Sequence, residues 1–151
     1  MDVGRLDQPI LRVLAVRDAC YVLKQDGVWY FNGYEAPFSL APLDSSCAIV
    51  AASTAAIVNN SIFMLSNQGV VQISTSGVTI QSGNIEPAIM TQALALSNLS
   101  TVAFAVANET DRQYVLWLPT GGGDAYATQA YVFHTLLQEW TRWVKPAAAG
   151  V

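Results

Sequence analysis

Two segments of the chain repeat one pattern: VRDACYVLKQDGVWYF at residues 16–31 and VNNSIFMLSNQGVVQI at residues 58–73. Each begins with a polar turn, continues as a β-rich run, turns again at a glycine, and ends in a second β-rich run. The aligned pairs that are identical or keep apolar character are Val16/Val58, Tyr21/Phe63, Leu23/Leu65, Gly27/Gly69, Val28/Val70 and Phe31/Ile73. This pattern predicts a β-hairpin in each segment.

Further β-branched and aromatic runs, bounded by Gly, Asn, Asp, Ser or Pro, extend the pattern over most of the chain. Hairpins that recur at a period of about forty residues are typical of propeller blades. We therefore predict an all-β fold of about three antiparallel blades, from about thirteen strands. The predicted strands lie at 11–17, 19–24, 28–32, 37–41, 47–51, 55–59, 61–66, 69–74, 77–81, 101–108, 112–119, 127–134 and 139–144.

One segment departs from the strand pattern. Between residues 86 and 99 the apolar residues recur at roughly helical spacing, and Pro87 suits a first helical turn. We expect one short helical connection there, within a β domain that spans 11–145. Residues 1–10 are expected to be a lead-in and residues 146–151 a flexible tail.

The predicted blades are too few to form a closed ring. Propellers close with typically four to eight blades, and an open one leaves strand edges that can pair with neighbours. We therefore expect either a fragment of a longer chain or a domain that a neighbour completes.

The chain carries few charges. It is 52% hydrophobic and 12% charged, and no Asp, Glu, Lys or Arg lies between Asp44 and Glu86. Polar clusters interrupt that stretch too often for a spanning helix, and Asp2, Arg5 and Asp7 argue against a signal peptide. We expect a surface that is covered on assembly; the alternative is a β-rich monomer that uses Ser, Thr, Asn and Gln for solubility.

Neither the net charge nor the spacing of the cysteines indicates a bound cofactor or metal. Seven Lys and Arg against eleven Asp and Glu give a net charge of −4, which does not favour tight binding to a phosphate backbone. Cys20 and Cys47 have a spacing that fits no metal motif. They are expected to be buried free thiols, with a disulfide between adjacent strands as the alternative.

Candidate catalytic residues are few. His134 is the only histidine and is expected in a turn. Glu109, Asp111 and Asp124 lie near two predicted loops that could meet, which would be needed for glycosidase-like acid and base work. Gly121, Gly122 and Gly123 lack the lysine and helix of a phosphate-binding loop. We expect these residues to form turns, and we do not expect the protein to be an enzyme.

The tryptophans are the candidate interaction residues. Trp140 and Trp143 lie three positions apart on one predicted strand, so they must face opposite sides. Trp29 and Trp117 lie in other strands. All four could serve as interface or sugar-stacking anchors, whereas packing between blades is the simpler interpretation.

Three segments carry a resemblance to a known family. Residues 130–143 resemble a kelch-type blade phrase. Residues 14–31, 59–78 and 131–143 together resemble the β-propeller domain of the tail nozzle (tail tubular, or hub) proteins of short-tailed bacteriophages. This resemblance implies a virion tail component, made in the host cytoplasm, that forms a homohexameric tube below the portal and adaptor and lets DNA pass without tight binding.

The chain is shorter than members of that family, which have further parts around the propeller. The family has no active site, so no functional residue is carried over. The alternative function is a carbohydrate- or protein-binding propeller module of a bacterial surface protein, expected to show a ring of exposed Trp and Tyr. A glycosidase-like propeller is the third possibility.

Overall fold

The computed structural model describes residues 5–32, 35–85 and 87–144. Twelve strands are present within these residues, and they form three four-stranded antiparallel sheets. Sheet 1 contains β1 (Ile10–Val16), β2 (Ala19–Lys24), β3 (Gly27–Asn32) and β4 (Ser39–Asp44). Sheet 2 contains β5 (Ala56–Val58), β6 (Ser61–Ser66), β7 (Gly69–Ser74) and β8 (Gly77–Ile80). Sheet 3 contains β9 (Phe104–Asn108), β10 (Gln113–Leu118), β11 (Gln129–His134) and β12 (Glu139–Val144).

Each sheet is a meander whose strands pair in chain order. Both segments of the repeated pattern form the predicted hairpins, β2–β3 and β6–β7. Gly27 and Gly69 occupy the same position in these hairpins, with φ of 140° and 106°. L residues rarely adopt such angles, which explains why both turns end in glycine.

The sheets pack face to face in chain order around two apolar clusters. One cluster joins sheet 1 to sheet 2 through residues such as Leu23 and Met64. The other joins sheet 2 to sheet 3 through residues such as Phe63 and Phe133. The first strands β5 and β9 lie near each other, as do the last strands β4 and β8. The described sheets do not close into a ring.

The helical connection crosses from the last strand of sheet 2 to the first strand of sheet 3. It contains two helices, α1 (Pro87–Leu94) and α2 (Leu99–Val102), where one was expected over 86–99. Met90, Ala93 and Leu99 are buried in the cluster between sheets 2 and 3. The helices therefore contribute to the core of that junction.

The predicted strand at 47–51 is wrong. Only an isolated bridge between Ile49 and Ser66 forms there. The short 3-10 helix Ala52–Thr54 separates this segment from β5. The segment around Ile49 and strand β5 lie along the same edge of β6. β5 pairs with Ser61, Ile62 and Phe63, and Ile49 bridges to Ser66 further along that edge. The predicted tail, 146–151, lies outside the described residues, as do residues 1–4 of the predicted lead-in.

Candidate assembly interface

Each sheet has a forward face, toward the next sheet in the chain, and a rear face, toward the previous one. The repeated pattern places equivalent residues on equivalent faces. Leu23 and Val28 of sheet 1 pack forward onto sheet 2, and their counterparts Leu65 and Val70 pack forward in the cluster shared with sheet 3. The sequence repeat therefore encodes a repeated junction between sheets.

The rear face of sheet 1 meets no other sheet among the described residues. Cross-strand pairing places Val13, Val22 and Trp29 on this side, with Phe31 next along β3. Val13 is 52% exposed and Phe38, whose ring lies 6.3 Å from that of Phe31, is 42% exposed. This face is exposed at Val13 and Phe38, whereas Val22 and Lys24, which share this side of β2, are each 2% exposed, and Lys24 Nζ donates a 2.7 Å hydrogen bond to the carbonyl of Arg5.

The forward face of sheet 3 likewise meets no other sheet among the described residues. Val115, Ala130 and Val132 form a small buried cluster there, against which Trp117 packs. The ring of Phe104 stacks on that of Trp117, with centroids 6.1 Å apart. Phe104 is 40% exposed and Val106 50%. A continuous patch of this kind is typical of a surface that another protein surface covers.

The four tryptophans lie in three different places. Trp140 packs in the junction between sheets 2 and 3, whereas Trp143, on the other side of β12, is 49% exposed. This confirms that the two face opposite sides. Trp117 and Trp143 lie on the forward face of sheet 3, and Trp29 lies on the rear face of sheet 1. They do not form the ring at one end of the sheets that the sugar-binding alternative requires.

The acidic residues do not converge. The turn containing Glu109 and Asp111 precedes β10, whereas the loop containing Asp124 follows it. A six-residue strand separates its ends by about 20 Å, so these loops do not meet as the glycosidase-like alternative requires. Carboxylates that share glycosidase chemistry lie within about 10 Å of each other.

Asp124 and Glu109 instead make structural contacts in turns. Asp124 Oδ2 accepts hydrogen bonds of 2.8 Å from the N–H groups of Gly121 and Thr120. These bonds, that of Gly121 foremost, lower the pKa of the Asp124 carboxyl. Glu109 Oε2 accepts a 3.3 Å bond from the N–H of Asn59, which ties the first turn of sheet 3 to that of sheet 2. These contacts are structural.

His134 lies at the end of β11, where its Nδ1 accepts a hydrogen bond of 3.3 Å from the N–H of Leu137. It is therefore the turn histidine that the sequence predicts. Among the described residues, no three His, Cys, Asp or Glu side chains lie together as a metal site would require.

Both cysteines are free thiols, as expected, but only Cys47 is also buried as expected. Cys47 is buried in the junction between sheets 1 and 2, and Cys20 is half-buried on the rear face of sheet 1. Burial raises the pKa of both thiols. A raised pKa lowers the thiolate fraction and therefore the reactivity of a cysteine.

The described residues line two hollows of equal volume, of which the second lies between the helical connection and sheet 3. The first, of about 460 Å³, opens between the turn ends of sheets 1 and 2. Its lining includes Arg17, Asp18, Asn59, Asn60 and Ser61. These residues belong to hairpin turns, and Asn59 and Asn60 adopt positive φ of 52° and 59°, as tight hairpins require.

Sequence reasoning missed the apolar residues that make up the open faces, notably Val13, Phe104 and Val106. The signal was present in the alternation along β1 and β9, where these residues share one side of their strands. What the alternation does not show is which side another sheet covers.

The helices of the described residues are all too short or too polar to cross a membrane. No protein-family model matches the chain, and no curated protein matches it significantly.

Proposed function

We propose that the three sheets are consecutive blades of a propeller-type domain, and that the chain is a structural component of a short-tailed bacteriophage tail. In this role it forms part of the nozzle or tail tube through which the genome leaves. The observation that carries the proposal is the repeated sheet junction, which joins sheet 1 to sheet 2 and sheet 2 to sheet 3 through equivalent residues of the repeated pattern.

The strand order supports the blade interpretation. In each sheet the chain begins at one edge and meanders to the other, then returns to begin the next sheet. First strands approach first strands, and last strands approach last strands. Sheets that radiate from a common axis, with the first strand innermost, have this arrangement.

The resemblance to tail nozzle proteins falls on these same elements. Its three segments cover all of β2, β6 and β7 and most of β3, β11 and β12. A structural role suits a chain whose candidate acids, histidine and cysteines all have local structural explanations. By resemblance, the partners are further copies in a homohexameric ring and an adaptor protein above it.

The low charge suits a wall beside which DNA moves. The net charge is −4, and a surface with few cations gives duplex phosphates little to bind. A gel-shift titration at low salt should therefore show no tight complex with duplex DNA. A tight complex would contradict a passive conduit.

The direct test uses the gene in its phage. An amber codon at Gln25 should give, on a non-suppressing host, DNA-filled heads that lack a complete tail and do not infect. Growth on a suppressing host is the matched control, and antibody labelling in electron microscopy should place the protein at the tail. Normal infectious particles without the protein would overturn the tail assignment.

A further inference from the structure

We infer that the hollow between the turn ends of sheets 1 and 2, the first-junction hollow, binds a neutral, hydroxyl-rich ligand, a monosaccharide or disaccharide. Its two walls belong to adjacent sheets within the described residues. The inference does not depend on the tail role. It is also separate from the tryptophans, because this site would hold a sugar by hydrogen bonds and not by stacking.

The first-junction hollow has the size of a small-molecule site. Its volume is about 460 Å³, and ligand pockets typically have about 300–1,000 Å³. Val16 and Ala19 line it from sheet 1, and Ser61 and Ser74 line it from sheet 2. A ligand there would contact both sheets at once.

The repeated pattern places an equivalent, smaller hollow between sheets 2 and 3, the second-junction hollow, of about 200 Å³. Four lining residues occupy equivalent positions of the pattern in the two hollows: Val16/Val58, Arg17/Asn59, Ala19/Ser61 and Tyr21/Phe63. The volume of the second-junction hollow lies below the usual range of about 300–1,000 Å³ for ligand pockets. The junction therefore leaves a space at this end in both places, but only the first one has the volume of a binding site.

The first turns of the sheets differ in length, which accounts for the extra space at the first junction. In sheet 3 residues 109–112 lie between β9 and β10, and Glu109 Oε2 reaches across to accept the N–H of Asn59 at 3.3 Å. In sheet 2 only Asn59 and Asn60 lie between β5 and β6. The shorter turn leaves more room beside sheet 1.

The lining of the first-junction hollow is polar and has no net charge. Its charged residues are Arg17 and Asp18, whose formal charges cancel, and both are exposed. Six further lining residues carry neutral carboxamide or hydroxyl groups: Asn32, Asn59, Asn60, Ser61, Ser74 and Thr75. Carboxamides and hydroxyls can each donate and accept hydrogen bonds.

This lining favours a sugar over an ion. Sugar hydroxyls also donate and accept, and a carboxamide or a guanidinium can bond two adjacent hydroxyls because it offers two polar atoms in one plane. An anion would meet the carboxylate of Asp18 as well as the guanidinium of Arg17. A zwitterion such as a free amino acid would depend on these two charges, and exposed charge pairs contribute little in water. The neutral groups therefore decide the class of ligand.

Arg17 is the best position for testing the site. Its φ is 53°, an angle that glycine adopts without strain, so Arg17→Gly removes the side chain and leaves the turn in place. Arg112 is the matched control, because it is also an exposed arginine in the first turn of a sheet, with φ of 54°. Arg112→Gly makes the same change of charge outside the hollow.

A second pair of variants tests the carboxamides. Asn60, with φ of 59°, lines the first-junction hollow, and Gln138, with φ of 55°, lines the second-junction hollow. Asn60→Gly and Gln138→Gly each remove one carboxamide at a position where glycine is unstrained. Only Asn60→Gly should weaken binding.

The experiment titrates the chain with glucose, galactose, mannose, N-acetylglucosamine, maltose and lactose, followed by the backbone amide signals in NMR. At least one sugar should give saturable shifts at the lining residues, with a dissociation constant in the millimolar range. Arg17→Gly and Asn60→Gly should each raise that constant about tenfold or more. The two control variants should leave it unchanged.

Inorganic phosphate and glycine are the anionic and zwitterionic comparisons. Saturable shifts from either of them, with none from the sugars, would overturn the class of ligand. No saturable shifts from any probe, shifts away from the hollow, or equal losses in Arg17→Gly and Arg112→Gly would overturn the site. Circular dichroism should show all variants folded, and Arg17→Gly and Asn60→Gly test the site independently of each other. Binding by the chain and the infection phenotype are separate measurements, so failure of one does not refute the other.

Discussion

The indole Nε1 of Trp140 donates a hydrogen bond of 2.8 Å to the backbone carbonyl of Gln81. Trp140 lies on β12, the last strand of sheet 3, and Gln81 follows β8, the last strand of sheet 2. The same indole ring lies 4.9 Å from the ring of Phe133. One side chain therefore fastens the outer edge of this junction by a polar and an apolar contact.

Trp140→Phe should destabilise the chain. The substitution removes the only polar atom of the side chain and leaves the partly buried carbonyl of Gln81 without this donor. A lost partner of that kind costs about 1–3 kcal/mol in the free energy of unfolding. Urea unfolding followed by circular dichroism measures it, and an unchanged midpoint would show that the bond contributes nothing.

A second bond ties the centre of the same junction. The Tyr114 hydroxyl, fully buried, donates a 2.7 Å bond to the carbonyl of Thr54, and burial raises the pKa of Tyr114. Tyr114→Phe should lower the free energy of unfolding by about 1–3 kcal/mol. Tyr126→Phe, at a position 83% exposed, is the control and should change it by less than about 0.5 kcal/mol. Equal effects of the two substitutions would contradict this.

Local pattern was sufficient to predict the hairpins, since alternation, turn residues and the glycines at 27 and 69 all act within a few residues of each other. It was also sufficient to predict that Trp140 and Trp143 face opposite sides. The same alternation failed at residues 47–51, where Cys47, Ile49 and Ala51 are buried in turn as in a strand. These residues are buried because they pack against sheet 2. They do not form a continuous strand with β6, because β5 already pairs with Ser61, Ile62 and Phe63 on the same edge.

The distance in space between residues of different loops could not be predicted from the sequence. Glu109 and Asp124 are close in sequence to the same strand, β10, but belong to its opposite ends, which only the strand length reveals. The two open faces likewise follow from how the sheets pack and not from any local motif. A strand with apolar residues on both sides predicts burial of both sides without identifying the partner.

Gly69 should tolerate alanine less well than two other glycines. It has φ of 106°, and an added Cβ would collide with the Ser82 hydroxyl, which accepts the N–H of Val70 at 3.1 Å. Gly77, with φ of 135°, has open space around its Cβ position, and Gly83 has open space without a positive φ.

The three alanine variants therefore separate strain from collision. Gly83→Ala should leave the free energy of unfolding nearly unchanged, and Gly77→Ala should lower it by about 1–2 kcal/mol through backbone strain alone. Gly69→Ala should lower it by more, because it adds the collision and disturbs the Ser82 bond. Thermal unfolding of the three variants gives the order, and a Gly69→Ala midpoint at or above that of Gly77→Ala would contradict it.

The Asp124 carboxylate should make stability depend on acid pH. Hydrogen bonds to its charged form, from Gly121 first and then Thr120, lower its pKa below the ordinary value of 3.8. A lowered pKa in the folded state means that the carboxylate contributes to the free energy of unfolding above its ordinary pKa, and that this contribution is lost as pH falls through the pKa of the folded state.

Asp124→Asn keeps the size of the side chain but removes the charge, so it should be less stable than wild type at pH 7. The difference should shrink as pH falls below 3.8, as measured by urea unfolding from neutral to strongly acid pH. A difference that stays constant over this range would show that the charge of Asp124 is not what holds the loop.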